Sequence, residues 1–447
     1  MRWTLLVRDF KCLRGSRSIP IRPMTILLGE NSTGKSTVLA LVRLASRVAQ
    51  GSVALDFNDP PFLLGAYDQI ATYHGGRGKR VKSFEIGMRF DFDPTDKVPP
   101  PLTDPGPPPK SITTIATFEE VASQPTAKRW IAEVDGARLT MRFESGRLQG
   151  ATFSNNQVEW EVPKHRVESV GIGWIHTNLY YAIEALGLLW PGIPEDSQVP
   201  KEASSAIQRL GRGLGWAVAQ LFPTRLHVSA PIRSTPSRTY DPTQFKEDPQ
   251  GRHAPMLLAR LATDDPTAWK VLEERIVAFG QASGLLGGLA VKRKGEKGSD
   301  PFQVNIGFEN LYFNLVDVGY GVSQVLPILV DVILGERESA FLLQQPEVHL
   351  HPRAQAELGS LLGHLCREEG KWFLVETHSD YLVNRIRMDL RDKKGVGPED
   401  LLVLYFEKRG SESAVTEMHL GPDGDYEQVP DGYRRFFLEE QRKLLGG

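Results

Sequence analysis

The sequence predicts an α/β fold whose core is split between the two ends of the chain, and three observations predict it. The apolar run MTILL at 24–28 ends directly on a glycine loop, after which residues 38–48 carry apolar side chains at helical spacing. Far downstream, an apolar run at 341–343 ends in the polar QQPE, and another at 374–375 ends in ETHS. Apolar strands that finish on polar residues and lead into helices are the units of an α/β layer.

Along the chain, residues 3–8 read as a first β-run. From about 50 to 165 the character changes. Residues 81–92 (VKSFEIGMRFDF) alternate like a strand, as do 130–134, 138–143 and 157–162. Between them VPPPLTDPGPPPK, 98–110, holds too much proline for a ladder and is expected to be an extended loop. Residues 170–220 are rich in Ala, Leu and Gln and read as helical. A proline-punctuated stretch follows at 227–240, then helix over 254–288 ending in a Gly-rich turn. Residues 304–318 read as paired strands, the chain to 390 alternates helix, strand, helix, and the segment from Leu401 holds two short strands and a charged helix. The expected division is an N-terminal lobe at 1–165 with a β-rich insertion, a mainly helical insert at 166–300, and a C-terminal lobe at 301–447.

Composition sets bounds on function. Of 447 residues, 40% are hydrophobic and 24% charged, an ordinary globular balance. A net charge of −2 gives no overall pull toward nucleic acid or an anionic membrane, so any basic face must be local. The 2 cysteines, Cys12 and Cys366, are too few for a disulfide framework or a four-thiolate metal site. The N-terminus lacks the apolar core of a signal peptide, and the best apolar run, 325–334, is too short to span and contains Pro327 and Asp331. A cytoplasmic protein without a membrane partner is expected.

The strongest motif is GENSTGKS at 29–36, a full G-x-x-x-x-G-K-[ST] between a strand and a helix. Its glycines let successive N–H groups face phosphate oxygens, aided by the start of the next helix. Lys35 is expected to reach the β- and γ-phosphates of ATP, and the Ser36 hydroxyl to ligate Mg²⁺. QQPEVHLHP at 344–352 has the placing of a Walker B strand end. Asp317-Val318-Gly319-Tyr320-Gly321-Val322-Ser323-Gln324 offers free N–H groups and a hydroxyl to an anion at a helix start, though Gly and Ser also cap many helices. His378, in ETHS, can contact a γ-phosphate or simply cap. His349 and His351, two apart with no Cys or further His beside them, are weak evidence for zinc and read better as polar loop residues.

Taken in order, GENSTGKST (29–37), DVGYGVSQVLPIL (317–329), QQPEVHLHP (344–352) and ETHSD (376–380) resemble the standalone SMC-like ABC ATPases of prokaryotes, close to the ATPase part of the OLD (overcoming lysogenization defect) family. FNDPPFLLGAYDQI (57–70), APIRSTPSRTY (230–240) and DGYRRFF (431–437) look like a subgroup built as ATPase only. The resemblance implies an ABC-type P-loop fold and assigns the four motifs as Walker A, signature, Walker B with D-loop, and switch histidine. It implies head-to-tail homodimers, or higher even-numbered assemblies, with ATP and Mg²⁺ between protomers. Lys35 and Ser36 of one copy would then face Gly321 and Ser323 of the other, with Asn31, Ser32, Thr33, Gly34, Thr37, Gly319 and Gln324 also binding nucleotide. It also makes Gln69 a candidate Q-loop residue.

One departure stands out. Gln344 and Gln345 occupy positions where the family usually has at least one carboxylate. Gln344 would have to assist Ser36 at the metal, and Gln345 to orient the attacking water. A glutamine amide cannot take up a proton at neutral pH, and losing a general base forfeits about 10²–10⁴ in rate. Either Glu347 does the work, or turnover is slow, or the glutamines are a trapping substitution. The residues after Asp380 include Asp423 and Asp425 but no full acidic metal set, so a nuclease activity is expected from a separate partner. The leading expectation is an ATP-dependent switch that controls such an effector in antiphage defence. The alternative is a DNA-transaction ATPase, for which the basic clusters Arg77-Lys79-Arg80-Lys82 and Lys292-Arg293-Lys294-Lys297 speak, and the lack of a long heptad stretch against. A transporter motor would need a membrane partner and a longer signature.

Overall fold

The computed structural model describes residues 2–75, 80–92, 109–164, 226–242, 246–410 and 412–433, together with 164–167 in part, 207, 210–211 and 442–443. Most of the proline-rich stretch, nearly all of the expected helical insert at 170–220, Arg77, Lys79 and most of the expected C-terminal helix lie outside these residues. Two compact units are formed. Met1–Ile21, Ser32–Thr224 and Lys408–Ala414 make the first; Arg22–Asn31, Arg225–Glu407 and Val415–Gly447 make the second.

The first unit is an antiparallel sheet with a helix. Its strands are β1 (Arg2–Phe10), β2 (Leu13–Ile21), β4 (Ser83–Asp91), β5 (Ser111–Val121), β6 (Gln124–Val134), β7 (Ala137–Glu144), β8 (Arg147–Ser154) and β9 (Glu159–Glu161). They lie in the order β2-β1-β4-β5-β6-β7-β8-β9. Alternation sets the buried face: Phe84, Ile86, Met88 and Phe90 of β4 are sealed, as are Leu139 and Met141 of β7. Two-residue turns with positive φ at Ala122-Ser123, Asp135-Gly136 and Ser145-Gly146 join β5 to β8, the conformation that matches strand twist. Helix α1 (Lys35–Ala49) buries Val38, Leu41, Val42, Ala45 and Val48, and its Val48 carbonyl accepts the Trp130 indole N–H at 3.1 Å. Short helix α2 (Tyr67–Ile70) sits before β4.

The second unit carries the split core. Strands β10 (Leu226–Ser229), β14 (Ala340–Gln344), β15 (Trp372–Glu376), β3 (Met24–Gly29), β16 (Leu401–Arg409) and β17 (Glu412–Met418) form one sheet in that order. The pairs from β10 through β16 are parallel, with Gln344 opposite Glu376, Glu376 opposite Leu27, and Gly29 opposite Phe406. Parallel strands covered on both faces are continuously apolar, and all five residues of β14 are buried. Helices α3 (Ala254–Asp264), α4 (Pro266–Ser283), α5 (Tyr320–Leu334), α6 (Pro352–Glu369) and α7 (Asp380–Arg391) belong to this unit, as does a small antiparallel sheet of β11 (Gly288–Arg293), β12 (Phe302–Phe308) and β13 (Leu311–Asn314). Val325, Leu329 and Val332 of α5 are fully buried, each contributing about 1.5–3 kcal/mol of transfer free energy.

The fold is therefore mixed α/β with a split core, as the sequence predicts. Strands β2, β5, β8 and β11 go beyond that reading. The inward side of β5 includes Thr114 and Ala116, and β2 places Arg14, Ser16 and Arg17 outward, so neither has a clean apolar alternation.

Candidate functional site

Glycine chemistry shapes the phosphate loop at both ends. At Gly29, φ is +135°, and a Cβ would lie 2.1 Å from the Phe406 carbonyl oxygen, so no side chain fits where β3 meets the loop. At Gly34, φ is +97°, and a Cβ would lie 2.7 Å from Cys12 Sγ. Ser32 between them also has positive φ, at 60°, a conformation uncommon outside glycine. Helix α1 starts with no side-chain cap at Gly34 and no acidic residue in its first turn. A helix start of that kind suits an anion, because its first amides and its dipole carry positive charge. Asn31, Ser32 and Ser36 are exposed, Thr37 is half-buried, and Thr33 and Lys35 are buried. The glycines and the uncapped start of α1 have the chemistry to hold a phosphate group.

The second unit gathers the downstream residues at the carboxyl edge of its sheet. Gln344 closes β14 in register with Glu376, and the Gln345 N–H donates to the Glu376 carbonyl at 2.8 Å. Beside them the Thr377 N–H donates to the Leu27 carbonyl at 3.2 Å, two residues before the loop begins. Gln345 itself has φ 44°, a left-handed conformation that turns the chain sharply after the strand. The turn brings Glu347 back, and the His378 N–H donates to Glu347 Oε1 at 2.9 Å. Gln344, Gln345, Glu347 and His378 thus lie together, along the same edge from which residues 29–31 emerge.

Glu347 is the carboxylate of this cluster. It is only 6% exposed, and Oε2 has no hydrogen-bond partner among the described residues. Burial pushes its pKa above the ordinary carboxylate range, while the His378 N–H, its own backbone amide, the Thr377 hydroxyl and the Arg233 cation pull it back. Such a group is poised to exchange a proton. Within the second unit Gln344 offers an amide oxygen, a neutral ligand for Mg²⁺. Among the described residues no group of three or more His, Cys, Asp or Glu could hold a metal. An ion bound here would accordingly rely on phosphate and water oxygens, the habit of Mg²⁺ beside nucleotides.

The glycine-rich 319–324 segment opens α5. Gly319 is its N-cap and is exposed, as is Tyr320. Gly321 is set by packing: a Cβ would lie 2.7 Å from the His349 carbonyl oxygen. The Ser323 hydroxyl donates to the Tyr320 carbonyl at 2.9 Å, and Ser323 lines a cavity of about 470 Å³ with Ser234, Thr235, Tyr240, Arg252 and Pro327. Gln324 is 1% exposed, its Oε1 accepting the Arg233 N–H at 3.2 Å, so it is a buried anchor rather than a surface group. Gln69 is also engaged locally, its Oε1 accepting the Ala66 N–H at 3.0 Å. The His349 ring stands edge-on to Tyr320 at 4.8 Å, and His351 caps α6 by accepting the Arg353 N–H at 3.3 Å. Asp425 pairs with Arg387 at 2.9 Å, and Asp423 accepts the Asp425 N–H.

Arg233 was not singled out from the sequence. It is 2% exposed and lies against Gln324, Gln345 and Glu347. Its segment, 227–240, is marked by proline punctuation, but nothing local signals a buried arginine.

Residues 225–384 match the family described as AAA domain, putative AbiEii toxin, Type IV TA system. That span takes in 319–324, 344–347 and His378 and leaves out the phosphate loop. No curated protein matches the chain. Similar solved structures include the SmcHead bound to the C-winged helix domain of ScpA, at 10% identity and TM-score 0.49, over 93% of this chain and 98% of that one. The Smc head domain with an extended coiled coil bound to the C-terminal domain of ScpA, from Pyrococcus furiosus, is similar at 10% identity and TM-score 0.42, over 99% and 98%. The SMC head domain from Thermotoga maritima is similar at 10% identity and TM-score 0.41, over 94% and 100%.

Proposed function

We propose that this chain is an ATP-dependent switch: it binds ATP·Mg²⁺ through residues 29–37, assembles as a homodimer with 319–323 of one copy facing the nucleotide of the other, and controls a separate effector, a nuclease, in antiphage defence. The observation that carries ATP binding is the phosphate loop itself, where Gly29 and Gly34 leave no room for a side chain and α1 begins without a cap or an acid. Bound ATP supplies the γ-phosphate and Mg²⁺ its charge neutralisation. Lys35 would neutralise phosphate charge, Ser36 and Gln344 would help hold the ion, and Gln345 would orient water. Glu347 takes up the proton, since burial holds its affinity for one above that of an ordinary carboxylate. Turnover is slow, because neither Gln344 nor Gln345 brings a carboxylate to the metal and water.

The defence reading is supported by the matched family's description as a putative toxin of a toxin–antitoxin system. A DNA-transaction ATPase is the alternative, favoured by the exposed Lys292, Lys294 and Lys297. The test is equilibrium ATP binding by the parent and Lys35→Ala proteins, followed by phage challenge of cells carrying the gene with its neighbours. Equal ATP affinity in both proteins would overturn nucleotide binding by this loop. Phage sensitivity unchanged by the gene, with salt-dependent duplex DNA binding, would favour the alternative.

A further inference from the structure

The guanidinium of Arg233 joins two segments that are far apart in sequence. Its Nε donates to the Gln324 carbonyl on α5 at 3.1 Å, and Nη1 donates to the Gln345 carbonyl at 3.3 Å. The Nη1 group also serves the carbonyls of Ala230 at 3.2 Å and Pro231 at 3.1 Å, while the Arg233 backbone N–H is held by Gln324 Oε1. An arginine at 2% exposure is costly to bury, and burial lowers its pKa to about 10 against the opposing pull of Glu347 and Tyr320. Three buried polar atoms of this neighbourhood have no partner among the described residues: Arg233 Nη2, Gln324 Nε2 and Glu347 Oε2. Such groups are rare in folded proteins.

We propose that Arg233 is a positioning residue that fixes the Gln345–Pro346–Glu347 turn to the first turns of α5, and with it the place of Glu347. This deepens the ATPase reading and rests on it. The Arg233 cation faces the Glu347 carboxylate from the 230–240 segment, while His378 and Thr377 face it from the end of β15. Displacement of α5, which begins at the exposed Gly319–Tyr320 pair, is thereby transmitted to Gln345 through Arg233, beside the packing of Tyr320 and Gly321 on His349. Hydrolysis is coupled to whatever engages residues 319–323, without a contact between that segment and Glu347.

The test compares the full-length parent with Arg233→Lys, Arg233→Met and the double variant Arg233→Met with Glu347→Gln. Three quantities are read: ATP dissociation constant, single-turnover hydrolysis from pH 5 to 9, and melting temperature. Arg233→Met is expected to leave ATP affinity within about threefold and slow hydrolysis about 10- to 100-fold. Its acid limb should move to higher pH, because the cation that favours the Glu347 carboxylate is gone. Arg233→Lys keeps the charge, so its limb should stay near the parent's while its rate falls through lost geometry. If Arg233→Met is poorly folded, the double variant shows whether the uncompensated carboxylate is the cause, and Arg233→Lys decides the function: a parent-like melting temperature with slowed hydrolysis supports the proposal, and a parent-like rate overturns it. Parent-like rates and limb in Arg233→Met, or equal limbs in the Lys and Met variants, would overturn it while leaving ATP binding intact. Failure of the parent to bind ATP would instead overturn the ATPase reading, and the proposal with it.

Discussion

The backbone N–H of His378 donates to Glu347 Oε1 at 2.9 Å, so the ends of β15 and β14 are tied through the Glu347 carboxylate. The hydrogen bond orients one Glu347 oxygen and leaves the other buried and unpartnered among the described residues. Glu347 therefore has the environment of a proton acceptor, where Gln344 and Gln345 have only amides.

Glu347 should leave a signature in stability as well as in hydrolysis. Its folded pKa is raised, so the native state holds its proton more tightly than the unfolded chain does. The stabilising contribution is complete below the unfolded pKa and is lost as pH rises through the folded value. In Glu347→Gln that dependence is removed. The stability of the variant relative to the parent is expected to shift in its favour as pH rises through that window, while single-turnover hydrolysis falls about 10²–10⁴-fold. Parallel stability curves for the two proteins would contradict the raised pKa.

Gly29 and Gly321 separate two uses of glycine. Gly29→Ala places a Cβ 2.1 Å from the Phe406 carbonyl oxygen and should abolish ATP binding with loss of fold stability. Gly321→Ala meets the His349 carbonyl oxygen at 2.7 Å and should cost about 1–3 kcal/mol by overpacking. Denaturant melts and ATP titrations check both; an unperturbed melt for either alanine variant would contradict the packing described.

Lys371 is fully buried, with Nζ donating to the Val332 carbonyl at 2.8 Å and paired with Glu369 at 2.5 Å. A cation there caps the carboxyl end of α5, where the helix dipole is negative. Lys371→Met should lower stability by about 1–3 kcal/mol, because Arg275 still pairs with Glu369 but the α5 carbonyls lose their donor. Chemical denaturation measures it, and a change under about 0.5 kcal/mol would show that the cap is dispensable.

Much of this architecture was legible in the sequence where one side of an element is plainly apolar. Strand β3 with its glycine loop, helix α1, strand β14 and strand β15 were all read, because each is an apolar run with a polar end. The pairing of β3 between β15 and β16 was not, since no local pattern says which parallel strands are neighbours. Strand β5 was missed because Thr114 and Ala116 fill its inward face. Among the site residues, Gln344, Gln345, Glu347 and His378 were named by motif, but the burial of Glu347 comes from the left-handed turn at Gln345. Arg233 was illegible for a related reason: arginine is ordinarily exposed, and only the carbonyls that converge on it from Ala230, Pro231, Gln324 and Gln345 make its burial tolerable.

The central claim, that residues 29–36 bind ATP and that binding assembles two copies through 319–323, is tested most directly by solution mass. The parent, Lys35→Ala and Ser323→Arg proteins would each be measured with and without ATP·Mg²⁺. The parent is expected to move from the 49.8 kDa monomer toward twice that mass only with nucleotide, and both variants to stay monomeric. A parent whose mass ignores ATP, or a Lys35→Ala protein that assembles with ATP as the parent does, would contradict it.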